Sequence, residues 1–465
     1  MKTQYVQRML IGLGLTLALA TPWASAVDRY VAPNGIGGGT SWTDTHSNLI
    51  EMVALAGNND TVYVTNNATY WLTNQITVSY AITVRSWGPG GILDPTNTIL
   101  SGRYPDAINR HFTLNNAGAT VAGFTLTKGY ENNGGSVYLQ NGMVTNCMIV
   151  SNVAYTNSGG GVYMLTGNGG VWNCTISGNM ASNVSMSGGG VFVASGGPWR
   201  IANCTISGNS CTNASGQGGG INAQSSTAGT IISNCWIVSN QAGYGGGGLY
   251  IGGAAECHNS FIIGNKVILE NSSFGGGVRI VTAALLRNCL IVNNSAMAVW
   301  ASGGGVYLSQ NVSVQNCTIA SNVSQSAGGL YFMGTGGNAG FPKIENTIIW
   351  GNIGGSVSNW SSGSTNASQS WTTFTNCCLA PNIYSNGSCF ASGINTVTND
   401  PWFVSAAIGD FQLQPNSPCI NAGINRGWME GARDVYGNRR IDNFRKTVDI
   451  GAHEYLSKGT MFSGY

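Results

Sequence analysis

Carboxylates are scarce in the middle of this sequence. Of its 465 residues 8% are charged, and no aspartate occurs between Asp106 and Asp400. The glutamates of that stretch are Glu131, Glu256, Glu270 and Glu345. Enzymes that cleave glycosidic bonds through two carboxylates, or through carboxylates that hold a cation, need these acids close together. The shortage argues against both mechanisms, so we predict a non-catalytic protein without a metal site or a cofactor.

An enzyme nevertheless stays open as the alternative. Glu256 stands near Lys266 and Glu270 near Arg279, and each pair could form a site. His258 or Arg279 could also act as a base without a metal. The alternative to a non-catalytic protein is therefore a polysaccharide lyase or glycoside hydrolase.

Net charge is also small. The formal net charge of the whole chain is +2. Removing Lys2 and Arg8 with an N-terminal leader leaves 17 basic and 17 acidic groups. Such a balance favours neither a nucleic acid nor an anionic membrane as partner.

Long apolar runs are absent except at the N-terminus. The run from Met9 to Ala20 follows Lys2 and Arg8, and Ala24-Ser25-Ala26 follows as a small-residue cleavage site. We predict a signal peptide over residues 1–26 and a secreted chain, extracellular or on a bacterial cell surface. The run is too short to span a membrane, so we predict no transmembrane segment after its removal.

Glycine and asparagine, in contrast, are abundant and periodic. A pair of glycines, extended to Gly-Gly-Gly in most copies, precedes an apolar residue that recurs at intervals of 24 to 30 residues. The apolar residues are Val137, Val162, Val191, Ile221, Leu249, Val278, Val306, Leu330 and Val357. Between the glycines, apolar residues alternate over short runs, which is strand periodicity. The unit is too short for a propeller blade, so we predict a parallel β-helix with three short strands per coil.

The regular repeats have different sequences on either side. Ser47 to Ala56 is an amphipathic helix candidate that would cap the open end of the stack. We divide the chain into a signal peptide (1–26), an N-terminal cap with the first coils (27–130), regular repeats (131–357), irregular Ser/Asn/Gly-rich coils (358–399) and a polar C-terminal capping region (400–465).

The C-terminal region carries a family resemblance. It reads Asp-Pro-Trp-Phe at 400–403, Gly-Asp-Phe-Gln-Leu-Gln-Pro-Asn-Ser-Pro-Cys-Ile-Asn-Ala-Gly at 409–423, Asp-Val-Tyr-Gly-Asn-Arg-Arg at 434–440 and Val-Asp-Ile-Gly-Ala-His-Glu-Tyr at 448–455. These segments resemble the choice-of-anchor Q proteins, and the repeats also resemble those of polymorphic outer-membrane proteins. The resemblance implies an all-β, right-handed parallel β-helix of the pectin-lyase type and no established activity.

Cysteine and asparagine each occupy one column of the repeat. Inward, small apolar cysteines are expected at Cys147, Cys174, Cys204, Cys235, Cys289 and Cys317, whereas disulfides are expected among Cys377, Cys378, Cys389 and Cys419, with Cys378–Cys389 favoured. Asparagines suited to a left-handed bend between strands stand at Asn146, Asn173, Asn203, Asn234, Asn259, Asn288, Asn316 and Asn346. The family resemblance implies that these asparagines form a side-chain ladder.

An outward column alternates with the inward residues of the glycine strand. Its members are Tyr138, Tyr163, Phe192, Asn222, Tyr250, Arg279, Tyr307 and Tyr331. The aromatic members and Arg279 are candidate carbohydrate-binding residues, because a stripe of rings can stack on sugars; the same rings would also stabilise neighbouring strands. We therefore predict a rigid element that binds an extracellular polysaccharide or surface glycan, with a protein-binding adhesin as a further alternative.

Overall fold

The computed structural model describes residues 25–183, 187–194, 197–226, 229–269, 272–309, 311–335, 341–362, 371–381, 383–386, 390–441 and 446–456. The predicted signal peptide lies outside these residues except for its last two positions, and so do Glu270 and Cys389.

The described chain is a parallel β-helix with four ladders of strands, which we name A to D. Ladder A contains Asp28–Val31, Thr61–Thr65, Thr83–Trp87, Thr120–Ala122, Gly142–Thr145, Gly169–Trp172, Trp199–Ala202, Ile231–Ser233, Glu256–His258, Leu285–Arg287, Ser313–Gln315, Lys343–Glu345, Trp371–Thr375 and Phe390–Ile394. Ladder B contains Ala68–Trp71, Thr98–Ser101, Thr125–Thr127, Met148–Val150, Thr175–Ser177, Thr205–Ser207, Trp236–Val238, Phe261–Ile263, Leu290–Val292, Thr318–Ala320, Ile348–Trp350 and Cys378–Leu379.

Ladders C and D complete each coil. Ladder C contains Ile76–Val78, Phe112–Leu114, Val137–Leu139, Val162–Met164, Val191–Val193, Ile221–Ser226, Leu249–Gly253, Val278–Ile280, Val306–Leu308, Leu330–Thr335, Val357–Ser362 and Ile383–Asn386. Ladder D, which the sequence did not predict, contains Tyr130–Glu131, Val153–Ala154, Met180–Ala181, Ser210–Cys211, Gln241–Ala242, Lys266–Val267, Ser295–Ala296 and Val323–Ser324. Two small sheets pair Ser272–Phe274 with Trp300–Ser302 and, antiparallel, Phe403–Ser405 with Asp410–Leu413.

A regular coil passes through the ladders in the order C, A, B and D. Residue Val162 pairs with Val191 of the next coil and Ile176 pairs with Ile206, so identical repeat positions stack on each other. All four of these side chains are buried in one continuous core. Twelve strands at the usual strand spacing make ladder C a rod roughly 50 Å long.

The glycine runs form the connection from ladder D to ladder C. Gly159 has φ +77°, and a Cβ at Gly160 would lie 2.3 Å from the carbonyl oxygen of Gly189. Adjacent coils approach too closely here for any side chain, which explains why the glycines repeat with the coil.

The predicted asparagine bend is confirmed at the corner between ladders A and B. All eight asparagines of that column have φ between 47° and 57°. Their expected side-chain ladder is not continuous and forms only as two pairs in later coils: Asn288 donates to Asn259 at 2.5 Å, and Asn346 donates to Asn316 at 3.2 Å. In the first coils these side chains point to solvent, because the corner is on the outside of the helix, and Asn173, Asn203 and Asn234 are exposed there.

A second asparagine column forms the ladder instead, six residues further on, at the corner between ladders B and D. Its members are Asn152, Asn179, Asn209, Asn240, Asn265, Asn294, Asn322 and Asn352. Each of the first seven donates its amide to the side-chain oxygen of the next, at 2.9 to 3.0 Å. The ladder supplies the hydrogen-bond partners that these buried amides need.

The inward cysteine column is confirmed. All six of its thiols are buried and free. Cys377 occupies the same slot after Asn376, whose φ is 50°, so its assignment to the disulfide candidates is wrong. Cys378 and Cys419 share a separate apolar cluster.

The N-terminal helix spans Leu49–Ala54, and Asn48 caps it by accepting a bond from the Glu51 amide at 3.2 Å. Its apolar face, which includes Met52 and Val53, joins the main core beside the first strands of the stack. This is the capping helix that the sequence predicts, shorter by four residues.

The C-terminal region was expected to cap the end of the last coils. In the structure it lies along their side. Phe411 packs on Leu290, Val292 and Ala320 on the outer face of ladder B. Side-chain amides of the A–B corner also hold its backbone: Asn288 donates to the Arg433 carbonyl at 2.7 Å, Asn346 to Ile424 and Asn376 to Ala422.

Candidate functional site

The predicted aromatic column lies on the outer face of ladder C, and its first three rings stack on each other. Tyr138 and Tyr163 have centroids 5.4 Å apart with an interplanar angle of 6°, and Tyr163 and Phe192 are 5.3 Å apart. The guanidinium of Arg110 covers the remaining face of Tyr138 at 5.0 Å. Both faces of Tyr138 and of Tyr163 are therefore occupied within the chain, and only ring edges face solvent.

The later members of the column are buried, and the expectation that they face solvent is wrong. Tyr250, Tyr307 and Tyr331 are 6%, 3% and 8% exposed. Arg279 lies within 5.0 to 5.5 Å of the rings of Tyr244, Tyr250, Phe274 and Tyr307. Tyr244 and Phe274 come from the connections between ladders D and C, and they cover this part of the column. Asn222, in the middle of the column, is also buried.

A different surface presents free aromatic faces, at the corner between ladders A and B. We call it the edge surface, and it consists of Trp172, Asn173, Asn203, Asn234 and Trp236. Trp172 is 38% exposed at the end of a ladder A strand, and Trp236 is 48% exposed at the start of a ladder B strand. The three asparagines stand between them, one per coil, with exposed side chains.

Small residues keep the edge surface open. In ladder A, Trp172 is aligned with Ala202 in the next coil and Ala202 with Ser233 in the coil after it. Trp236 stacks one face on Phe261 at 4.1 Å and is aligned on its other side with Thr205. Each tryptophan therefore has a ring face bordered only by a small side chain of the adjacent coil.

A cluster of polar residues follows the edge surface along ladder A. Ser233 is aligned with His258 and His258 with Arg287. The Nε2 atom of His258 lies 3.1 Å from Oε2 of Glu256. Arg287 donates through Nε to Oε1 of Gln315 at 3.2 Å, and its guanidinium lies 4.5 Å from the ring centroid of Trp428. We call Glu256, His258 and Arg287 the polar triad.

Burial sets the protonation of the triad. It lowers the pKa of the His258 imidazole; Glu256 opposes this shift and Arg287 adds to it. Burial likewise lowers the pKa of Arg287, which still remains charged. At neutral pH the imidazole is therefore neutral and able to accept a proton.

The structure brings together only some of the predicted polar pairs. Lys266 lies on ladder D, on another face from Glu256, so that predicted pair is not formed. The pair of Glu270 with Arg279 falls partly outside the described residues. Glu345 lies on ladder A three coils beyond the strand that carries Glu256, roughly 14 Å away, and Arg426 binds its carboxylate. That separation exceeds the about 5 to 9.5 Å between the two acids of glycoside hydrolases.

Among the described residues no group of His, Cys, Asp or Glu is arranged to hold a metal ion. In the same part of the chain no helix has the length and hydropathy needed to cross a bilayer.

Sequence reasoning missed the edge surface, and of the triad it named Glu256 and His258 without connecting them and did not name Arg287. The signal was the residue before each corner asparagine. In successive coils it is Thr145, Trp172, Ala202, Ser233, His258, Arg287, Gln315 and Glu345. This row points outward from ladder A just as the tyrosine row does from ladder C. It has no constant residue type, so it does not stand out as a column.

The solved structures similar to this chain share little sequence with it. No curated protein matches the chain at a significant level. Among solved structures it is similar to pectate lyase Pel9A, at 14% identity over 92% of this chain and 96% of that one, with a TM-score of 0.49. It is also similar to a Dettilon tailspike protein, at 13% identity over 79% of this chain and 68% of that one, with a TM-score of 0.44. A rhamnogalacturonan lyase is 12% identical over 86% of this chain and 95% of that one, with a TM-score of 0.40. At these values none of them transfers an activity to this chain.

The family model described as "Right handed beta helix region" matches residues 111–283 and 189–400, which together make up more than half of the sequence. The strands that it covers are those of the regular coils in all four ladders. The chain therefore belongs to the right-handed β-helix family.

Proposed function

We propose that this protein is a secreted, non-catalytic β-helix that binds a polysaccharide at the edge surface. The observation that carries the proposal is the pair of exposed tryptophans, Trp172 and Trp236, on either side of a row of exposed asparagine amides. Tryptophan faces stack on the apolar faces of sugar rings, and amides donate to and accept from hydroxyl groups.

The spacing of the coils suits an extended glycan. Asn173, Asn203 and Asn234 recur at about 4.8 Å, the distance between neighbouring strands. Sugars of a flat, extended polysaccharide recur at a similar interval, so successive amides would meet successive residues of one glycan chain. The rigid β-helix fixes these groups before binding, which reduces the entropy cost of ordering them.

The proposal is tested by presenting the mature chain, residues 27–465, with a panel of neutral and acidic polysaccharides and with surface proteins. Binding to a glycan, with no new reducing or unsaturated ends after prolonged incubation, is the expected result. Binding only to proteins would replace the proposal with an adhesin. Recovery of the chain outside the cytoplasm, beginning near Val27, tests the secretion that this proposal and the choice-of-anchor Q resemblance include.

The polar triad favours a lyase as the second candidate function. A neutral His258 beside Glu256 could remove a proton from a sugar, and Arg287 could stabilise the negative charge that develops. Release of unsaturated ends that absorb ultraviolet light, and their loss in His258→Ala, would establish this activity. Glu256→Gln serves as the partner variant, because it keeps the size of the side chain and removes its charge.

A further inference from the structure

The C-terminal region contains a cavity whose lining includes no residue of the edge surface or of the polar triad. It has a volume of about 770 Å³ and is lined by the side chains of Arg426, Arg433, Arg439 and Lys446, with Glu430 as the acidic member. The cavity adjoins Gly427 and therefore lies in the same segment as Trp428, which contacts Arg287 of the triad.

Positive charge exceeds negative charge around this cavity. Arg426 is neutralised by Glu345, with Nε 3.2 Å from one carboxylate oxygen. Arg433 and Arg439 then face one carboxylate, that of Glu430, which leaves an excess of one positive charge among these groups. Asp442 and Arg445, which lie outside the described residues, add no net charge to this segment.

Two of these cations are held side by side. Arg433 and Arg439 are opposite each other in an antiparallel β-bridge. Arg433 donates through one terminal nitrogen to the Gly437 carbonyl at 2.6 Å, which fixes its side chain over the turn. The Arg439 guanidinium makes no hydrogen bond or ion pair with the described residues. Like charges directly opposite in a strand pair are destabilising unless an anion lies between them.

We propose that this cavity binds a tetrahedral oxyanion, a sulfate or phosphate group, between Arg433 and Arg439. Guanidinium groups bind such oxygens through paired, charge-assisted hydrogen bonds. The cavity is large enough for the group to be attached to a saccharide rather than free. The proposal does not depend on glycan binding at the edge surface.

Titration calorimetry of the mature chain at low ionic strength tests it with three probes: inorganic sulfate, inorganic phosphate and a sulfated oligosaccharide. We expect binding that weakens with salt and falls about tenfold or more in Arg433→Gln/Arg439→Gln. Lys343→Gln is the control: it removes an exposed charge on ladder A, outside the cavity, and should bind like the wild type. Arg439→Lys keeps the charge without the paired donors and should bind with intermediate affinity.

The three probes separate the sources of the anion. Tighter binding of the sulfated oligosaccharide than of inorganic sulfate or phosphate assigns the site to a sulfated glycan, and equal or tighter binding of an inorganic anion assigns it to the free ion. Circular dichroism establishes that each variant is folded. The proposal is overturned if the folded wild type binds none of the three probes, or if the double variant binds them as the wild type does.

Discussion

The side-chain amide of Asn179 donates to the side-chain oxygen of Asn209 in the next coil, across 2.9 Å. The same oxygen accepts the backbone N–H of Asn179 at 3.0 Å, and the Asn209 amide donates to the carbonyl of Ile176 and to Asn240. Both polar atoms of the buried Asn209 side chain are therefore hydrogen-bonded inside the corner between ladders B and D.

Replacing Asn209 with alanine should destabilise the protein by more than about 3 kcal/mol, because each buried group that loses its partner costs roughly 1 to 3 kcal/mol. The matched control is Asn203→Gly at the exposed A–B corner, where glycine tolerates the positive φ and the cost should stay under about 1 kcal/mol. Urea denaturation measures both. Equal losses for the two variants would disprove the distinction between the two asparagine columns.

The two asparagine columns show which features of the fold the sequence predicts and which it does not. Period, strand alternation and the left-handed bend at Asn203 are local properties, and they follow from composition and spacing. Which of two equally regular asparagines points inward depends on the path of the coil. The ring of Tyr250 is buried by residues of other connections, and Trp172 and Trp236 come to lie on one surface only when the coils stack. Such contacts between distant residues leave no periodic signal.

Stability should fall as the pH decreases from about 6.5 to 4 because of His111. Its Nε2 donates to the Thr127 carbonyl at 3.0 Å, and its Nδ1 lies 3.0 Å from the Ser136 hydroxyl, so the neutral ring has a partner for both nitrogens. Burial lowers its pKa to about 4, so the unfolded chain binds one more proton than the folded chain in this interval. The stability that the neutral ring contributes is complete above about pH 6.5, and about 3 kcal/mol is lost by pH 4.

The measurement is the free energy of unfolding of wild type and His111→Asn at several pH values. In that interval the pH dependence of the unfolding free energy should correspond to about one proton fewer in the variant. His258 and His453, whose pKa values burial also lowers, still contribute in both proteins. Parallel slopes for the two proteins would contradict the assignment.

Docking of the C-terminal region should depend on Arg440, which is fully buried. It forms an ion pair with Glu454 and donates to the carbonyls of Gly451, at 2.6 Å, and Asn316. Burial raises the pKa of Glu454, and Arg440 opposes that rise. Arg440→Met should cost about 3 to 5 kcal/mol, because it leaves a buried carboxyl without its partner.

Adding Glu454→Gln to Arg440→Met should recover part of this loss, since no unpaired charge remains. Hydrogen exchange in Leu290–Val292, under Phe411, reports whether the C-terminal region has detached. Unchanged exchange in Arg440→Met would mean that the apolar contacts hold the region without the ion pair.

Cys377 should be a free thiol. It is buried in the inward column, and burial raises its pKa to about 12, so almost no reactive thiolate forms at neutral pH. Alkylation followed by mass spectrometry should leave Cys377 and Cys174 unmodified in the native protein and label both after denaturation. A disulfide that contains Cys377 would refute the placement of its coil.

The central claim is that the edge surface, and not the tyrosine column, binds glycan. Its most direct test is the affinity of two double variants for a polysaccharide that the wild type binds. Trp172→Ala/Trp236→Ala should weaken binding by roughly 2 kcal/mol, about 30-fold, because two stacking faces are lost. Tyr163→Ala/Phe192→Ala should leave the affinity within about twofold, because those rings stack mainly on each other. Unchanged affinity in the tryptophan variant, with a large loss in the tyrosine and phenylalanine variant, would contradict the claim.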